Sequence, residues 1–179
     1  GVSGMSIEDT DLPPPFGLAG GQRLLSREEG IGKMKAAVAA KVDPDLVIAG
    51  RTSAVAIAGV EETIARVTAY QDCGVDAIFL VGLKTREELD AIAPHVRLPL
   101  ILGATPAAID DKAYLAERGV RIARQGHHPI RAAQQAIYAT MRAMLDGTHP
   151  RDLEGLPSGD LMRVVLAEDD YDGWMKDYL

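Results

Sequence analysis

The sequence predicts an α/β fold in which parallel strands alternate with helices, and three observations predict it. Five short apolar segments, near residues 5, 46, 77, 99 and 120, are each followed by a helical pattern. Aliphatic residues dominate and aromatic residues make up only 4% of the 179 residues, a composition that suits helices packed on buried strands. Polar or charged residues follow the strands, at Glu8 and Asp9, Arg51, Lys84, Thr105, and His127 and His128.

Five βα units could form an open doubly wound sheet or part of an eight-stranded barrel. Polar groups at the carboxyl ends of successive strands favour the barrel, and no glycine-rich dinucleotide-binding turn follows any strand. We therefore expect the C-terminal portion of a (β/α)8 TIM-type barrel with an extra C-terminal helix. A complete barrel typically needs about 250 residues, so we expect roughly three βα units ahead of this chain and the first strand here to be the fourth of eight.

The elements are predicted from local signals in chain order. Residues 12–21 are rich in proline and glycine, which predicts a long loop directly after the first strand at residues 5–8. Ser26 and Thr85 each precede a glutamate by three residues, a capping-box pattern that predicts helices to about residues 41 and 96. The same kinds of signal predict strands at 46–50, 77–81, 99–103 and 120–124, and helices at 60–72, 110–118 and 130–146.

The chain is predicted to divide at residue 147, with βα units 4–8 in residues 1–147 and a linker, helix and tail in residues 148–179. The last helix is expected at residues 160–168, followed by an acidic and aromatic tail. Its apolar side chains need a partner surface, on the chain's own barrel or on a neighbouring subunit. They are Leu161, Met162, Val164, Val165 and Leu166.

Charge and composition bear on the expected partners of the chain and on its expected location. The net charge is −7 with acids and bases interspersed, so no basic surface for nucleic acid is expected. No apolar stretch approaches the roughly 20 residues that span a bilayer, so no membrane association is expected. Cys73 is the single cysteine, which excludes an intrachain disulfide and fits a reducing, cytoplasmic location.

Two acids end the first strand. Because side chains alternate along a strand, Glu8 and Asp9 should point to opposite faces, so only one should face the barrel axis. An acid at a barrel mouth can hold Mg²⁺ directly or through water, and we assign this role first to Glu8. Asp9 is assigned a possible supporting role at the same site, and the alternative is that Asp9 or Thr10 only caps a turn.

Arg51 and the histidine pair are the other candidate site residues. Arg51 follows a buried apolar strand, where a guanidinium needs an anion, and its planar fork suits a carboxylate. A salt bridge from Arg51 to Glu8 or Asp9 is the alternative, and both interpretations can hold together. His127 and His128 are expected to end the fifth strand, where one of them could polarise a carbonyl or transfer a proton.

Three segments, in this order, carry a family resemblance: GVSGMSIEDT at residues 1–10, PD at 44–45 with VIAGRT at 47–52, and YQDCGVDAIF at 70–79. Together they resemble the isocitrate lyase / phosphoenolpyruvate mutase superfamily, and the resemblance extends to about residue 144. The proline-rich loop at 12–17, the stretch LLSREEG at 24–30 and His127 look most similar to the oxaloacetate decarboxylase branch.

The resemblance implies an enzyme that acts on a small α-keto acid with Mg²⁺, or Mn²⁺ in its place, through an enolate. It implies that Glu8 holds the metal through water and that Arg51 grips a substrate carboxylate. His127 takes the position of an Asn in the mutases and is implied to hydrogen-bond the substrate or the enolate, while His128 takes the position of the following His. The direct metal ligands are implied on strands ahead of Gly1.

Two departures from the family pattern favour one reaction. Lyases of the superfamily carry a Lys-x-Cys-Gly-His motif after the first strand, and mutases carry a Lys and an Asn in the same loop, whereas residues 12–17 read LPPPFG. We therefore expect decarboxylation of oxaloacetate to pyruvate and CO2. The alternatives are a phosphonopyruvate mutase, a phosphonopyruvate hydrolase, a methylisocitrate-type lyase or a non-catalytic barrel fragment. The family also implies a homotetramer or homodimer that exchanges the C-terminal helix between subunits.

Overall fold

The computed structural model describes residues 1–12 and 21–179. These residues form two compact units, Gly1–Gly126 and His127–Leu179, and each unit is described by itself. The boundary falls inside the segment 1–147, whose assignment to the barrel as a whole stays a prediction. Most of the predicted loop at residues 12–21 lies outside the described residues, because residues 13–20 are not among them.

The first unit is built on one parallel sheet of five strands. In chain order they are β1 Gly4–Glu8, β2 Val47–Thr52, β3 Ala77–Leu80, β4 Leu100–Leu102 and β5 Val120–Ala123. Each strand pairs in parallel with the next one along the chain. A doubly wound sheet reverses its strand order at a switch point, whereas a barrel keeps the strands sequential. The predicted α/β class is confirmed, and the sequential order is that of a barrel segment.

Helices connect the strands, and all but one short helix lie at the predicted places. They are α1 Arg27–Ala39, α2 Ala54–Ile57, α3 Val60–Gln71, α4 Arg86–Ile92 and α5 Lys112–Glu117, with a 3-10 turn at Ala93–His95. Both predicted capping boxes are present, at Ser26 with Glu29 and at Thr85 with Glu88. The short α2 was not predicted. It begins directly after β2, where the Thr52 hydroxyl accepts a hydrogen bond from Ala54 N at 3.1 Å.

The two faces of the sheet differ in what they pack against. One face contributes Ile48, Ile78, Leu80, Leu100 and Leu102 to a large core shared with the helices. The opposite face carries a smaller apolar cluster of Ala49, Ala77 and Phe79. Because paired residues of parallel strands point the same way, the register places Glu8, Arg51, Phe79 and Ile101 in one row on this second face. That row lies near the carboxyl ends of the strands, where a barrel presents its site.

A pair of glycines in α1 allows a matched test of the packing between α1 and α3. A Cβ at Gly30 would lie 2.3 Å from the Tyr70 hydroxyl oxygen, whereas a Cβ at Gly32 would meet nothing within 4 Å. We expect Gly30→Ala to destabilise the fold by about 1–3 kcal/mol through overpacking, and Gly32→Ala to stabilise it by about 0.5–1 kcal/mol. Urea unfolding of the two variants measures this difference, and equal stabilisation by both would contradict it.

The second unit is helical. It contains α6 His128–Leu145, a 3-10 turn at Pro150–Asp152, α7 Gly159–Val165 and α8 Glu168–Tyr178. α6 begins two residues earlier than predicted, and the predicted tail forms α8. Three acids in the first turn of α8, Glu168, Asp169 and Asp170, suit the positive end of a helix dipole, a signal that the sequence prediction did not use.

Several apolar side chains on the second unit are exposed within this chain. Leu161, Val164, Val165 and Leu166 are all more than half exposed within this chain. Exchange of the C-terminal helix between subunits stays a prediction. Among the described residues, no helix combines the length and apolar character that a bilayer crossing requires.

Candidate active site

The candidate site lies where β1 and β2 end side by side. Glu8, the last residue of β1, pairs in register with Arg51 of β2, and Arg51 Nη2 lies 3.4 Å from Glu8 Oε2. The side chains are 18% exposed for Glu8 and 31% for Arg51, so the pair faces partly into solvent. The sequence prediction ended β2 at residue 50, which was wrong, because the strand continues to Thr52 and Arg51 is a strand residue. The ion pair predicted as an alternative for Arg51 is present.

Glu8 is held by groups on both sides. The Thr10 hydroxyl donates to Glu8 Oε1 at 2.7 Å, and Lys33 Nζ on α1 donates to the Glu8 main-chain oxygen at 2.6 Å. Thr10 therefore orients the Glu8 carboxylate, in addition to any part it takes in the turn. With Arg51 on the other oxygen, the carboxylate has both oxygens placed by neighbours.

Asp9 points to the other face of the sheet, as strand alternation predicts. Its side chain is fully buried, and its Oδ2 accepts hydrogen bonds from Arg66 Nη1 at 3.0 Å and from the Tyr70 hydroxyl at 2.7 Å, both on α3. Its main chain also joins two segments, because Asp9 N donates to Arg51 O at 3.3 Å and Asp9 O accepts from Leu25 N at 2.8 Å. Asp9 thus fixes the backbone that presents Glu8 and Arg51.

Arg66 is the centre of a buried ionic network. It donates to Asp9, to Glu62 Oε1 at 2.8 Å and to Leu25 O at 2.8 Å. Burial, followed by the hydrogen bond to the Asp9 carboxylate, raises the pKa of Tyr70 well above its usual range, so Tyr70 remains a donor at ordinary pH. Sequence reasoning missed this network. The spacing of Glu62, Arg66 and Tyr70 at successive intervals of four, along one face of α3, is the signal that could have found it.

Phe79 lies beside Arg51 on the second face of the sheet, which also carries Glu8. The Arg51 guanidinium carbon is 5.1 Å from the Phe79 ring centroid, and the guanidinium carbon of Arg124, just beyond β5, is 5.7 Å from the same centroid. Both distances fall within the range of cation–π contacts. Arg124 was not a predicted site residue, because its place over the ring depends on the register of three strands.

The histidines lie in the second unit. β5 ends at Ala123, so neither histidine ends the strand, and that expectation was wrong. His127 is the N-cap residue of α6 and His128 is its first residue, and both are exposed within this chain. The structure therefore brings Glu8 and Arg51 together in the first unit and turns Asp9 to the opposite face, whereas His127 and His128 begin the second unit. The roles implied for these five residues stay predictions.

The described residues supply only part of the ligand set that a metal ion needs. No group of three or more His, Cys, Asp or Glu side chains that could hold a metal occurs within residues 1–12 and 21–179. Glu8 is a single carboxylate at the site, since Asp9 is turned away and buried. Mg²⁺ keeps several waters and takes few protein carboxylates, so one carboxylate suits contact through water and does not by itself make a complete ligand set.

A sequential parallel sheet with charged groups at the carboxyl ends of its strands defines a protein of the α/β-barrel class with an enzyme-type site. The phosphoenolpyruvate phosphomutase family profile matches residues 1–145. The chain belongs to this family, within the phosphoenolpyruvate mutase / isocitrate lyase superfamily that the sequence resembles.

Individual relatives agree with this assignment. The chain is 49% identical over 179 residues to an oxaloacetate decarboxylase of Bradyrhizobium sp. (strain ORS 278), covering 100% of this chain and 62% of the relative. It is similar in structure to a phosphoenolpyruvate phosphomutase from Streptomyces platensis subsp. rosaceus, with a TM-score of 0.77, 23% identity and coverage of 99% of this chain and 64% of that one. This second likeness concerns the fold alone.

A third relative is an oxaloacetate acetylhydrolase, solved in complex with the inhibitor 3,3-difluorooxalacetate. It has a TM-score of 0.76 and 27% identity, covering 98% of this chain and 61% of that one. The chain therefore spans about three fifths of the length of the relatives that it matches.

Proposed function

We propose that this chain carries part of the active site of a divalent-metal-dependent oxaloacetate decarboxylase. The observation that carries the proposal is the Glu8–Arg51 pair in one row at the carboxyl ends of β1 and β2. Identity of 49% over the whole chain to a relative named oxaloacetate decarboxylase supports the choice of substrate.

Arg51 is proposed to hold a carboxylate of the substrate. Its Nε is buried and has no hydrogen-bond partner among the described residues, while one of its terminal nitrogens faces Glu8. An unsatisfied buried donor is costly, and a carboxylate satisfies a guanidinium best through two parallel hydrogen bonds. The Phe79 ring beside Arg51 limits where the guanidinium can lie, which helps to orient it before the substrate arrives.

Glu8 is proposed to contact the metal through water, with Mg²⁺ as the first expectation and Mn²⁺ as its substitute. Its carboxylate lies on the same face as Arg51, so a substrate held by Arg51 lies within reach of a metal near Glu8. When bound, the metal supplies Lewis-acid stabilisation of the negative charge that develops on the keto oxygen of the substrate.

The reaction needs no protein nucleophile. The bond between the β-carbon of oxaloacetate and its terminal carboxylate breaks, CO2 leaves, and the electron pair stays on the three-carbon product as an enolate. A proton then adds to carbon to give pyruvate. His127 is proposed to hydrogen-bond the substrate or the enolate, which adds stabilisation where charge develops.

A different reaction of the superfamily is the second candidate, since the matching family profile is named for a phosphomutase. A substrate panel separates the two. With the protein expressed from its full coding sequence and Mg²⁺, we expect pyruvate from oxaloacetate and kcat/KM values at least about 100-fold lower for phosphonopyruvate and methylisocitrate. Preferred turnover of phosphonopyruvate or methylisocitrate would overturn the decarboxylase proposal and leave the family assignment intact.

A further inference from the structure

We propose that Arg124 and Arg51 form a two-cation site over Phe79 that selects dicarboxylic over monocarboxylic keto acids. Arg51 holds one carboxylate, and Arg124 with Thr105 receives the second. The inference rests on the proposed function, because it names the substrate class that the same site recognises.

The strand register places the two arginines around one ring. Phe79 of β3 pairs with Arg51 of β2 and with Ile101 of β4, and Ile101 pairs with Ile122 of β5. Arg124 lies two residues after Ile122 and so points to the same face. With distances to the centroid of 5.1 and 5.7 Å, the two guanidinium carbons are within about 11 Å of each other, a span that a four-carbon dicarboxylate with its hydrogen bonds can bridge.

The charges of this cluster favour a dianion. Arg51 is paired with Glu8, whereas the Arg124 guanidinium makes no ion pair with any of the described residues. Two cations therefore share one aromatic ring, and among the described residues only Arg51 of the two is paired with a carboxylate, which leaves an excess of positive charge beside the ring. The main chain of Arg124 is fixed, because its N donates to Leu102 O and its O accepts from Thr105 N, both at 3.0 Å.

The segment after β4 adds three features at the same place. A Cβ at Gly103 would lie 3.2 Å from Phe79 Cε2, so the backbone passes close to the ring. Ala104 has φ of 42°, in the left-handed region that non-glycine residues seldom adopt, and such strain of about 1 kcal/mol or more often marks functional sites. Thr105 Oγ1 is buried and has no hydrogen-bond partner among the described residues. Because the Thr105 main chain is hydrogen-bonded to that of Arg124, this hydroxyl belongs to the neighbouring segment and is available to donate to a carboxylate oxygen.

The exposure of the Arg124 side chain predicts which kinetic constant changes when this residue is replaced. An exposed cation that contacts the substrate carboxylate in the ground state and in the transition state contributes uniform binding, which changes KM more than kcat. Arg124→Met is therefore expected to raise KM for oxaloacetate about tenfold while kcat stays within about twofold.

Arg121→Met is the matched control. Arg121 lies in β5, and its Nη1 donates to Ala116 O of α5 and to Val120 O, both at 3.2 Å, so its guanidinium lies on the helix-covered side of the sheet. The substitution Arg121→Met removes one positive charge three residues before Arg124 and leaves both guanidinium groups over Phe79 in place, so it should change neither KM nor ligand affinity.

The test uses protein expressed from its full coding sequence and measures binding as well as turnover. Calorimetry with Mg²⁺ compares 3,3-difluorooxaloacetate, a dicarboxylate, with pyruvate, a monocarboxylate. We expect Arg124→Met to weaken binding of the dicarboxylate about tenfold and to leave pyruvate unchanged. Equal affinity of Arg124→Met and wild type for the dicarboxylate, or an equal loss in Arg121→Met, would overturn the inference.

The two proposals fail separately. If wild type decarboxylates oxaloacetate and Arg124→Met has unaltered KM and affinity, the function stands and the two-cation site is refuted. If wild type binds the dicarboxylate through Arg124 but releases no pyruvate from oxaloacetate, the two-cation site stands and the decarboxylase proposal is refuted.

Discussion

Arg51→Met is expected to lower kcat/KM for oxaloacetate by about 10³-fold. Methionine keeps much of the length and apolar contact of the side chain but removes every donor, so the substrate carboxylate loses its bidentate partner. The substitution also removes the 3.4 Å ion pair between Arg51 and Glu8. The Glu8 side chain is 18% exposed, so water can solvate its carboxylate. We therefore expect the variant to fold, and steady-state pyruvate release measures its activity.

Arg51→Lys distinguishes charge from geometry. Lysine retains the positive charge but lacks the planar fork, so we expect it to recover part of the activity, about 10-fold above Arg51→Met. Circular dichroism on both variants controls for folding. Activity of a folded Arg51→Met protein within a few-fold of wild type would show that Arg51 does not contact the substrate.

Arg66→Met is expected to destabilise the fold by about 3–5 kcal/mol, because it leaves the Asp9 carboxylate buried without its cation. The Asp9 side chain has no exposed surface and the Arg66 side chain is 5% exposed; within the described part of the chain, only Tyr70 would remain as a side-chain donor to Asp9. Urea unfolding gives the change. Arg97→Met is the matched control, since its ion pair with Asp72 is about two-thirds exposed and should be worth less than about 1 kcal/mol.

A double variant shows whether the stability lost in Arg66→Met comes from the uncompensated charge of the buried Asp9 carboxylate. Replacing Asp9 by Asn in the Arg66→Met background removes that charge, so the double variant should be less destabilised than the sum of the two single variants. Strict additivity would contradict a direct interaction between Asp9 and Arg66.

Local signals in the sequence were sufficient for most elements of the first unit. The capping boxes at Ser26 and Thr85 were confirmed because they depend only on residues three apart. The apolar strands and their parallel arrangement were confirmed for the same reason, since each βα unit is encoded locally. The ends of elements were less exact, as with β2, whose last two residues are polar and do not continue the apolar run that was used to predict it.

Interactions between distant parts of the chain could not be predicted in the same way. Asp9 and Arg66 are separated by 57 positions, and the contact depends on how α3 packs on the sheet. The place of Arg124 over Phe79 requires the register of β3, β4 and β5, which no local pattern specifies. The pairing of Glu8 with Arg51 was predicted as an alternative because both end neighbouring strands, and adjacency of sequential strands is the rule in a barrel.

The rate of pyruvate release from oxaloacetate, by protein expressed from its full coding sequence, tests the decarboxylase proposal most directly. Oxaloacetate also breaks down without enzyme when Mg²⁺ is present, so the enzyme-free mixture with the same Mg²⁺ concentration is the reference. We expect a rate at least about 10³-fold above that reference, which is lost when the metal is chelated and restored when Mg²⁺ is added back. A folded wild-type protein that releases pyruvate no faster than the enzyme-free mixture would contradict the proposal.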